Sequence, residues 1–273
     1  MAERRPNDRR GNDKRRGRNN FERDGGQAHG RYSSRRSGPS RQGFREDRME
    51  RRAQEPDLPD GIDVRDLDPL ILQDLKVLSK DNADAVAKHM IMAIELLDDE
   101  PKLALKHAEA AKERAGRVGV VREVNGIVAY RAGEWKEALA ELRAARRISG
   151  GPGMLAVMAD CERGLGKPEK ALEISRSPEA RDLDEESRIE LAIVAAGARH
   201  DLGQHEPALA TLERLEPNIN DTSLESARLA YAYADALLAL NRTDEAKKWF
   251  QHVVDIDIDE TTDAQERLEE FSD

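Results

Sequence analysis

A run of acidic residues near the C-terminal end has the spacing best suited to chemistry. Asp255, Asp257 and Asp259, followed by Glu266, reproduce the carboxylate spacing of a calcium-binding loop between two helices. The glycine that makes the sharp turn in such a loop is replaced by Glu260, and the sequence offers no second loop to pair with it. We therefore expect an exposed acidic turn here, with calcium binding as the less favoured alternative.

Other residue types with chemical potential are too isolated to build a site. Cys161 is the one cysteine, and its apolar neighbours predict a buried thiol that acts as a small hydrophobe rather than a nucleophile. The six histidines include no pair at the i, i+4 spacing that would place two imidazoles on one face of a helix. The Gly150–Gly153 run lacks the Lys-Ser/Thr that follows a phosphate-binding loop. We therefore expect no catalytic residue, no cofactor and no metal, and hence a protein that is not an enzyme.

The charge of the chain is divided into two regions of opposite sign. Residues 1–52 contain 17 Lys and Arg against 8 Asp and Glu, whereas the remainder contains 28 against 47. No Leu, Ile or Val occurs before Leu58, so the first segment has little to bury against the entropy of ordering it. These features predict a disordered basic tail over residues 1–56 and a folded domain over residues 57–273.

Sixteen of the 17 basic residues in the tail are arginines, and Phe21, Tyr32 and Phe44 are spaced among them. Arginine pairs bidentately with phosphate and stacks on bases, and aromatic rings add stacking that tolerates any sequence. The composition resembles the arginine/glycine-rich tails of RNA-associated proteins. A solubilising tail, or a tail that rests on the acidic body of the same chain, are the alternatives. The candidate RNA-contacting residues are Arg10, Arg16, Arg18, Arg31, Arg35 and Arg36.

Beyond Leu58 the apolar residues recur at three- and four-residue spacing, which predicts helices throughout. Five similar segments each centre on an alanine, with successive spacings of 34, 33, 37 and 38 residues. In the last four segments a turn residue stands five positions before the alanine. The alanines are Ala104, Ala138, Ala171, Ala208 and Ala246, and the turn residues are Gly133, Gly166, Gly203 and Asn241.

The clearest copy runs from Gly119 to Gly150 and carries Gly126, Trp135 and Leu142 around Ala138. Small residues let paired helices approach closely, and large ones fill the layer between them. This pattern resembles the tetratricopeptide repeat, a helix-turn-helix unit. The resemblance implies an all-α, right-handed solenoid of about four to five helix pairs over residues of about 85 to 260, preceded by the disordered tail. A helix from Pro69 to Leu78, N-capped by Asp68, and another over residues 262–271 are expected to cap its ends.

In this family the first helix of each unit lines a concave groove that holds extended peptides or helices. The corresponding residues here are His89, Ala93, Glu123, Ile127, Tyr130, Arg131, Asp160, Arg163, His200, Tyr231 and Asp235. Tyrosine and arginine are frequent binding hot spots, so Tyr130, Arg131, Arg163 and Tyr231 are the expected anchors. Glu123, Ile127 and Asp235 complete the candidate partner-binding site.

The sequence thus favours a cytoplasmic scaffold that binds a protein or peptide in the repeat groove. The absence of a long apolar stretch or of an N-terminal apolar core argues against a membrane protein or export, and the single cysteine fits a reducing compartment. The acidic domain is expected to prefer a basic or apolar partner. An RNA-binding protein that acts mainly through its tail is the alternative.

Overall fold

A computed structural model describes residues 41–258 and 261–271 of the chain. The chain divides into two units, Met1–Asp47 and Arg48–Asp273. Every regular element in the described ranges is helical, and those ranges contain no strand, so the predicted all-α class is confirmed. None of the helices seen there is both long and apolar enough to cross a bilayer.

The elements follow one another at short intervals. The α-helices are α1 Arg41–Ala53, α2 Pro69–Leu75, α3 Lys80–Glu95, α4 Pro101–Ala115, α5 Gly119–Arg131, α6 Trp135–Ser149, α7 Leu155–Gly164, α8 Pro168–Ser175, α9 Glu185–Asp201, α10 His205–Glu213, α11 Leu224–Ala239, α12 Thr243–Ile256 and α13 Ala264–Glu269. Two short 3-10 helices, Val64–Asp66 and Pro178–Asp182, lie between them.

Helices α3 to α12 form five consecutive pairs: α3/α4, α5/α6, α7/α8, α9/α10 and α11/α12. The first helices of neighbouring pairs also pack on one another, α3 on α5, α5 on α7, α7 on α9 and α9 on α11. Packing of like helix on like helix is the arrangement of a helical repeat, in which each unit buries its apolar face against its neighbours. It agrees with the predicted solenoid of about four to five helix pairs.

The five repeat alanines occupy one structural position. Each is the fourth residue of the second helix in its pair, and each is buried, with at most 2% of its surface exposed. The four predicted turn residues lie in the turns before the last four second helices, and each is in the left-handed region, which glycine adopts readily. The φ angles are 77° at Gly133, 70° at Gly166, 70° at Gly203 and 59° at Asn241.

The ends of the array are covered as expected. The Asp68 carboxylate accepts a hydrogen bond from the Leu70 amide at 2.6 Å, which confirms it as the N-cap of α2. Leu67 and Leu75 are buried in the same cluster as Met90 of α3. At the other end, α13 packs on α12. Both caps are shorter than the sequence predicts, since α2 ends at Leu75 and α13 spans only Ala264–Glu269.

The last part of the segment assigned to the tail contains a helix and a buried ion pair. Helix α1 spans Arg41–Ala53, and Glu55 is largely buried, with its carboxylate paired to Arg114 of α4. The prediction depended on the lack of Leu, Ile and Val, which limits core formation. Arginine and glutamate are good helix formers, however, and a buried ion pair needs no aliphatic residue.

The acidic run at the end of α12 departs at Asp257 from the exposed turn that its composition predicts. The Asp257 side chain is buried and accepts hydrogen bonds from the amide and hydroxyl groups of Thr261 and Thr262, at 2.7–3.0 Å. Burial raises the pKa of Asp257, but these hydrogen bonds outweigh it and hold the pKa below its ordinary value. The carboxylate therefore closes the turn after α12. Asp255 is exposed, and Asp259 lies outside the described residues.

Close packing at the small residue of α5 generates a prediction about stability. A Cβ atom at Gly126 would lie 2.7 Å from Leu142 Cδ2 and 3.2 Å from the Leu142 amide nitrogen. We expect Gly126→Ala to lower the free energy of unfolding by about 1–3 kcal/mol, because the two helices must separate to admit the methyl group. Urea unfolding followed by circular dichroism measures the change.

The matched control is Gly197→Ala in α9. The atoms nearest to a Cβ there belong to the guanidinium group of Arg163, which can move aside. This variant is expected to remain within about 1 kcal/mol of the parent, because alanine also gains helix propensity. Equal stabilities of the two variants would contradict close packing as the constraint at Gly126.

Candidate functional site

The first helices of pairs two to five enclose a cavity of about 390 Å³ on the surface that they share, which we call the first-helix face. Tyr130 of α5 stands at one side of the cavity and Arg228 of α11 at the other. Residues from α7 and α9 line the cavity between these two. Four helices therefore meet at one cavity, although Tyr130 and Arg228 are 98 positions apart in the sequence. The four helices meet here because the first helix of each pair packs on the first helix of the next pair.

The cavity is lined by apolar and by charged residues. We call the apolar ones the floor, namely Leu155, Ala156, Val157, Leu183 and Val194, and the charged ones the rim, namely Asp160, Glu186, Glu190 and Arg228. Three of the four charged rim residues are acidic. The Arg228 guanidinium lies 2.7 Å from Glu190, and 66% of its side chain is exposed. Burial raises the pKa of Glu190, an effect that Arg228 opposes. The cavity thus suits an apolar group accompanied by positive charge.

Two of the predicted anchors belong to a series of polar bridges between first helices. The Tyr130 hydroxyl donates to Asp160 Oδ2 at 2.7 Å, which joins α5 to α7. Arg163 donates to Asp160 at 2.9 Å and to Asp201, at the end of α9, at 2.7 Å. Burial, followed by the hydrogen bond to Asp160, raises the pKa of Tyr130. Their polar atoms are therefore committed to neighbouring repeats, while Tyr130 also lines the cavity.

Tyr231 and Asp235 continue the same series to the last helix. The Tyr231 hydroxyl donates to Asp263, and Arg267 of α13 donates to Asp235 at 3.0 Å. Burial and the Asp263 hydrogen bond raise the pKa of Tyr231 to about 12. With Arg163, these two residues line a second cavity of about 250 Å³ between α7, α9, α10 and α11.

The remaining predicted partner-binding residues lie on α5. Arg131 is exposed and donates to Asp98, which precedes α4, at 2.6 Å. Glu123 and Ile127 are partly buried, and desolvation raises the pKa of Glu123. None of these three residues lines either of the two cavities. The structure therefore brings Tyr130 to the larger cavity, places Arg163, Tyr231 and Asp235 at the smaller one, and leaves the other three outside both.

Gly153, Glu190 and Arg228 were not predicted as members of the site. Each lies six residues before a small residue of the first helix that occupies the position of Gly126 in α5; these small residues are Ala159, Ala196 and Ala234. All three line the larger cavity. The repeat register puts all three at one position, three residues before the position that Glu123 and Tyr231 occupy in their repeats, and this register is the signal that could have found them.

Two residues predicted for the open face are instead inside the first pair. Ala93 is fully buried, and His89 of α3 packs against His107 of α4 with their Nδ1 atoms 3.0 Å apart. The mapping was wrong here because the turn between α3 and α4 is two residues longer than the next one, which shifts the register. Glu55 and Arg114 complete the surroundings of His89.

The two histidines form a hydrogen bond that is compatible with neutral rings. One Nδ1 must donate and the other accept, so both cannot be protonated at this atom. His89 Nε2 lies 3.7 Å from Glu55 Oε2, and the tautomer with its proton on Nε2 makes His107 the donor. Burial, and then the charge of His107, lower the pKa of His89 to about 4. Burial also lowers the pKa of His107.

The interior thiol is as expected. Cys161 is fully buried in α7, and burial raises its pKa to about 12, so that it packs as a small apolar side chain. The six arginines predicted to contact RNA lie outside the described residues.

Comparison with known proteins adds no identification. The sequence matches no protein-family model and no curated protein. The geometry of the first-helix face therefore carries the functional argument.

The buried histidine pair predicts a pH dependence of stability. Between pH 6.5 and about 4 a histidine in the unfolded chain takes up a proton that buried His89 does not, so the unfolded state binds more protons. We expect the free energy of unfolding to fall as the pH drops through this window, by about 1.4 kcal/mol per pH unit for one such imidazole. Urea unfolding at pH 7, 6 and 5 measures the slope.

The variant His89→Phe removes this group while keeping an aromatic ring, so its slope should be shallower whatever its absolute stability. His29→Ala removes a histidine far away in the sequence and should leave the slope unchanged. Identical slopes for the parent and His89→Phe would refute the assignment.

Proposed function

We propose that this protein is a non-enzymatic scaffold of the tetratricopeptide-repeat type that holds a peptide or helix of a partner protein on its first-helix face. The cavity between α5, α7, α9 and α11 is the observation that carries the proposal. Its apolar floor offers burial to one side chain of the partner, and burial of a large aliphatic side chain contributes roughly 1.5–3 kcal/mol.

The charges around the cavity define the chemistry of the partner. Asp160, Glu186 and Glu190 surround the apolar floor, and the chain beyond residue 52 has 47 acidic against 28 basic residues. Complementary potentials accelerate encounter and reject partners of the wrong charge. The ligand is accordingly an apolar side chain flanked by lysine or arginine.

The polar bridges between first helices support such a role. Tyr130–Asp160 and Arg163–Asp201 fix the spacing of α5, α7 and α9 before a ligand arrives. A surface that is already ordered loses less conformational entropy on binding than a mobile one. In this proposal the tyrosine and arginine anchors act chiefly by holding the cavity open, and Tyr130 also contributes its ring to the cavity wall.

Selection from a displayed peptide library with the full chain tests the proposal. We expect selected peptides to combine an apolar residue with lysine or arginine. Ala156→Arg should weaken their binding at least tenfold, because the new side chain fills the cavity and reverses the local charge. Fluorescence anisotropy with the selected peptides measures the affinities.

Ala140→Arg is the matched control, since Ala140 is an exposed alanine of α6 that does not line the cavity. It should leave binding within about twofold of the parent. If the selected peptides bind Ala156→Arg and Ala140→Arg with the same affinity, the binding surface lies elsewhere and the role of the cavity is refuted.

The composition of the N-terminal segment favours a second candidate function, RNA binding. Sixteen of its 17 basic residues are arginines, the type best suited to phosphate pairing and base stacking. In this proposal the repeats hold a protein partner while the tail contacts single-stranded RNA without sequence preference.

Replacing Arg10, Arg16, Arg18, Arg31, Arg35 and Arg36 together by serine in the full chain tests this candidate. Affinity for a single-stranded RNA oligonucleotide should fall, and its dependence on salt should become shallower, because fewer counterions are released. The same six replaced by lysine should bind with intermediate affinity, since charge is kept but bidentate pairing and stacking are weakened. Equal affinities of the serine variant and the parent would exclude RNA contact by these residues.

A further inference from the structure

The turn between α9 and α10 brings two histidines into contact, although their spacing in the sequence does not predict a pair on one helix. His200 is in the last turn of α9, His205 begins α10, and their Nδ1 atoms lie 3.2 Å apart. His200 is exposed and His205 is partly buried. The two residues are five positions apart and lie on two helices joined by a turn, so the i, i+4 spacing of a single helix does not predict their contact.

The fold does not require histidines at these positions. In the α5/α6 pair the equivalent residues are Tyr130 and Trp135, whose rings also meet edge to face, at 5.4 Å between centroids. The histidine rings meet in the same way at 4.7 Å. The same aromatic contact across the turn is therefore made by a tyrosine and a tryptophan in one repeat and by two imidazole rings in another.

The separation of the two nitrogens suits a shared metal ion. Zn²⁺ binds imidazole nitrogen at about 2.0–2.1 Å, which places two tetrahedral ligands about 3.3 Å apart. The observed 3.2 Å is close to that value. The hydrogen bond between the rings would be replaced by the ion, and the donating ring need only carry its proton on Nε2 instead of Nδ1.

The surroundings leave room for the rest of a coordination shell. Both histidines line the cavity of about 250 Å³ that also contains Tyr231 and Asp235. Asp201, next to His200, and Asp235 are occupied by Arg163 and Arg267 respectively. The described residues hold no group of three or more potential metal ligands. The other coordination positions are thus open to water or to a donor group on a bound molecule.

We propose that His200 and His205 form a two-histidine chelate for a transition-metal ion at one end of the first-helix face. Imidazole nitrogen binds Zn²⁺, Ni²⁺ and Cu²⁺ in preference to Mg²⁺. We therefore expect the site to bind one of these transition-metal ions. The proposal rests on the two side chains alone and stands whether or not the larger cavity binds a peptide.

Isothermal titration of the full chain with Zn²⁺ and with Ni²⁺ tests the site. One equivalent of either ion should bind to the parent, and Mg²⁺ should not. His205→Ala should weaken binding at least tenfold, because a chelate is reduced to a single ligand. His29→Ala, which removes a histidine outside the described residues, should bind as the parent does.

The double variant H200Y/H205W guards against a loss of structure, because it installs the aromatic pair that the α5/α6 turn already accommodates. It should keep the helical circular dichroism of the parent and lose the metal. Two results would overturn the proposal and leave the pair as a packing contact only. In one, the double variant binds the metal as tightly as the parent does; in the other, the parent binds it no more tightly than His205→Ala does.

Discussion

The architecture depends on the close approach of paired helices at small side chains. Five alanines at the fourth position of successive second helices are buried, and Gly126 meets Leu142 at a distance that leaves no space for a methyl group. Because a packed interior tolerates little added volume, these positions set how near the two helices of a pair can lie. The spacing of the pairs in turn decides whether the first helices can pack on one another.

Stacked first helices then produce the surface that carries the larger of the two cavities. The Tyr130–Asp160 bridge ties α5 to α7, and the Arg163–Asp201 bridge ties α7 to α9. Tyr130 and Asp160 also line the cavity. Exposed ion pairs add little to stability, typically less than about 1 kcal/mol each, but they restrict geometry. Residues that look like free binding anchors in a linear sequence can therefore serve to position a site rather than to contact its ligand.

The two histidine pairs show how the same contact acquires different properties from its environment. His89 and His107 are buried between α3 and α4, where desolvation keeps the rings neutral and links them to stability. His200 and His205 have almost the same distance between nitrogens but lie at a turn that lines a cavity. Access to a cavity, rather than spacing, is what distinguishes the second pair from the first, and the proposed metal site depends on that access.

Local patterns in the sequence were enough to predict the helical class, the repeat alanines, the turn residues and the Asp68 cap, because each follows from interactions within one repeat. The same patterns did not predict which residues of different repeats come into contact. The cavity joins Tyr130 to Arg228, the buried carboxylate of Glu55 meets Arg114, and one longer turn moves His89 from the open face to the interior. These outcomes belong to the tertiary structure, since they depend on the register of one repeat against the next, which small differences in turn length shift and no local pattern encodes.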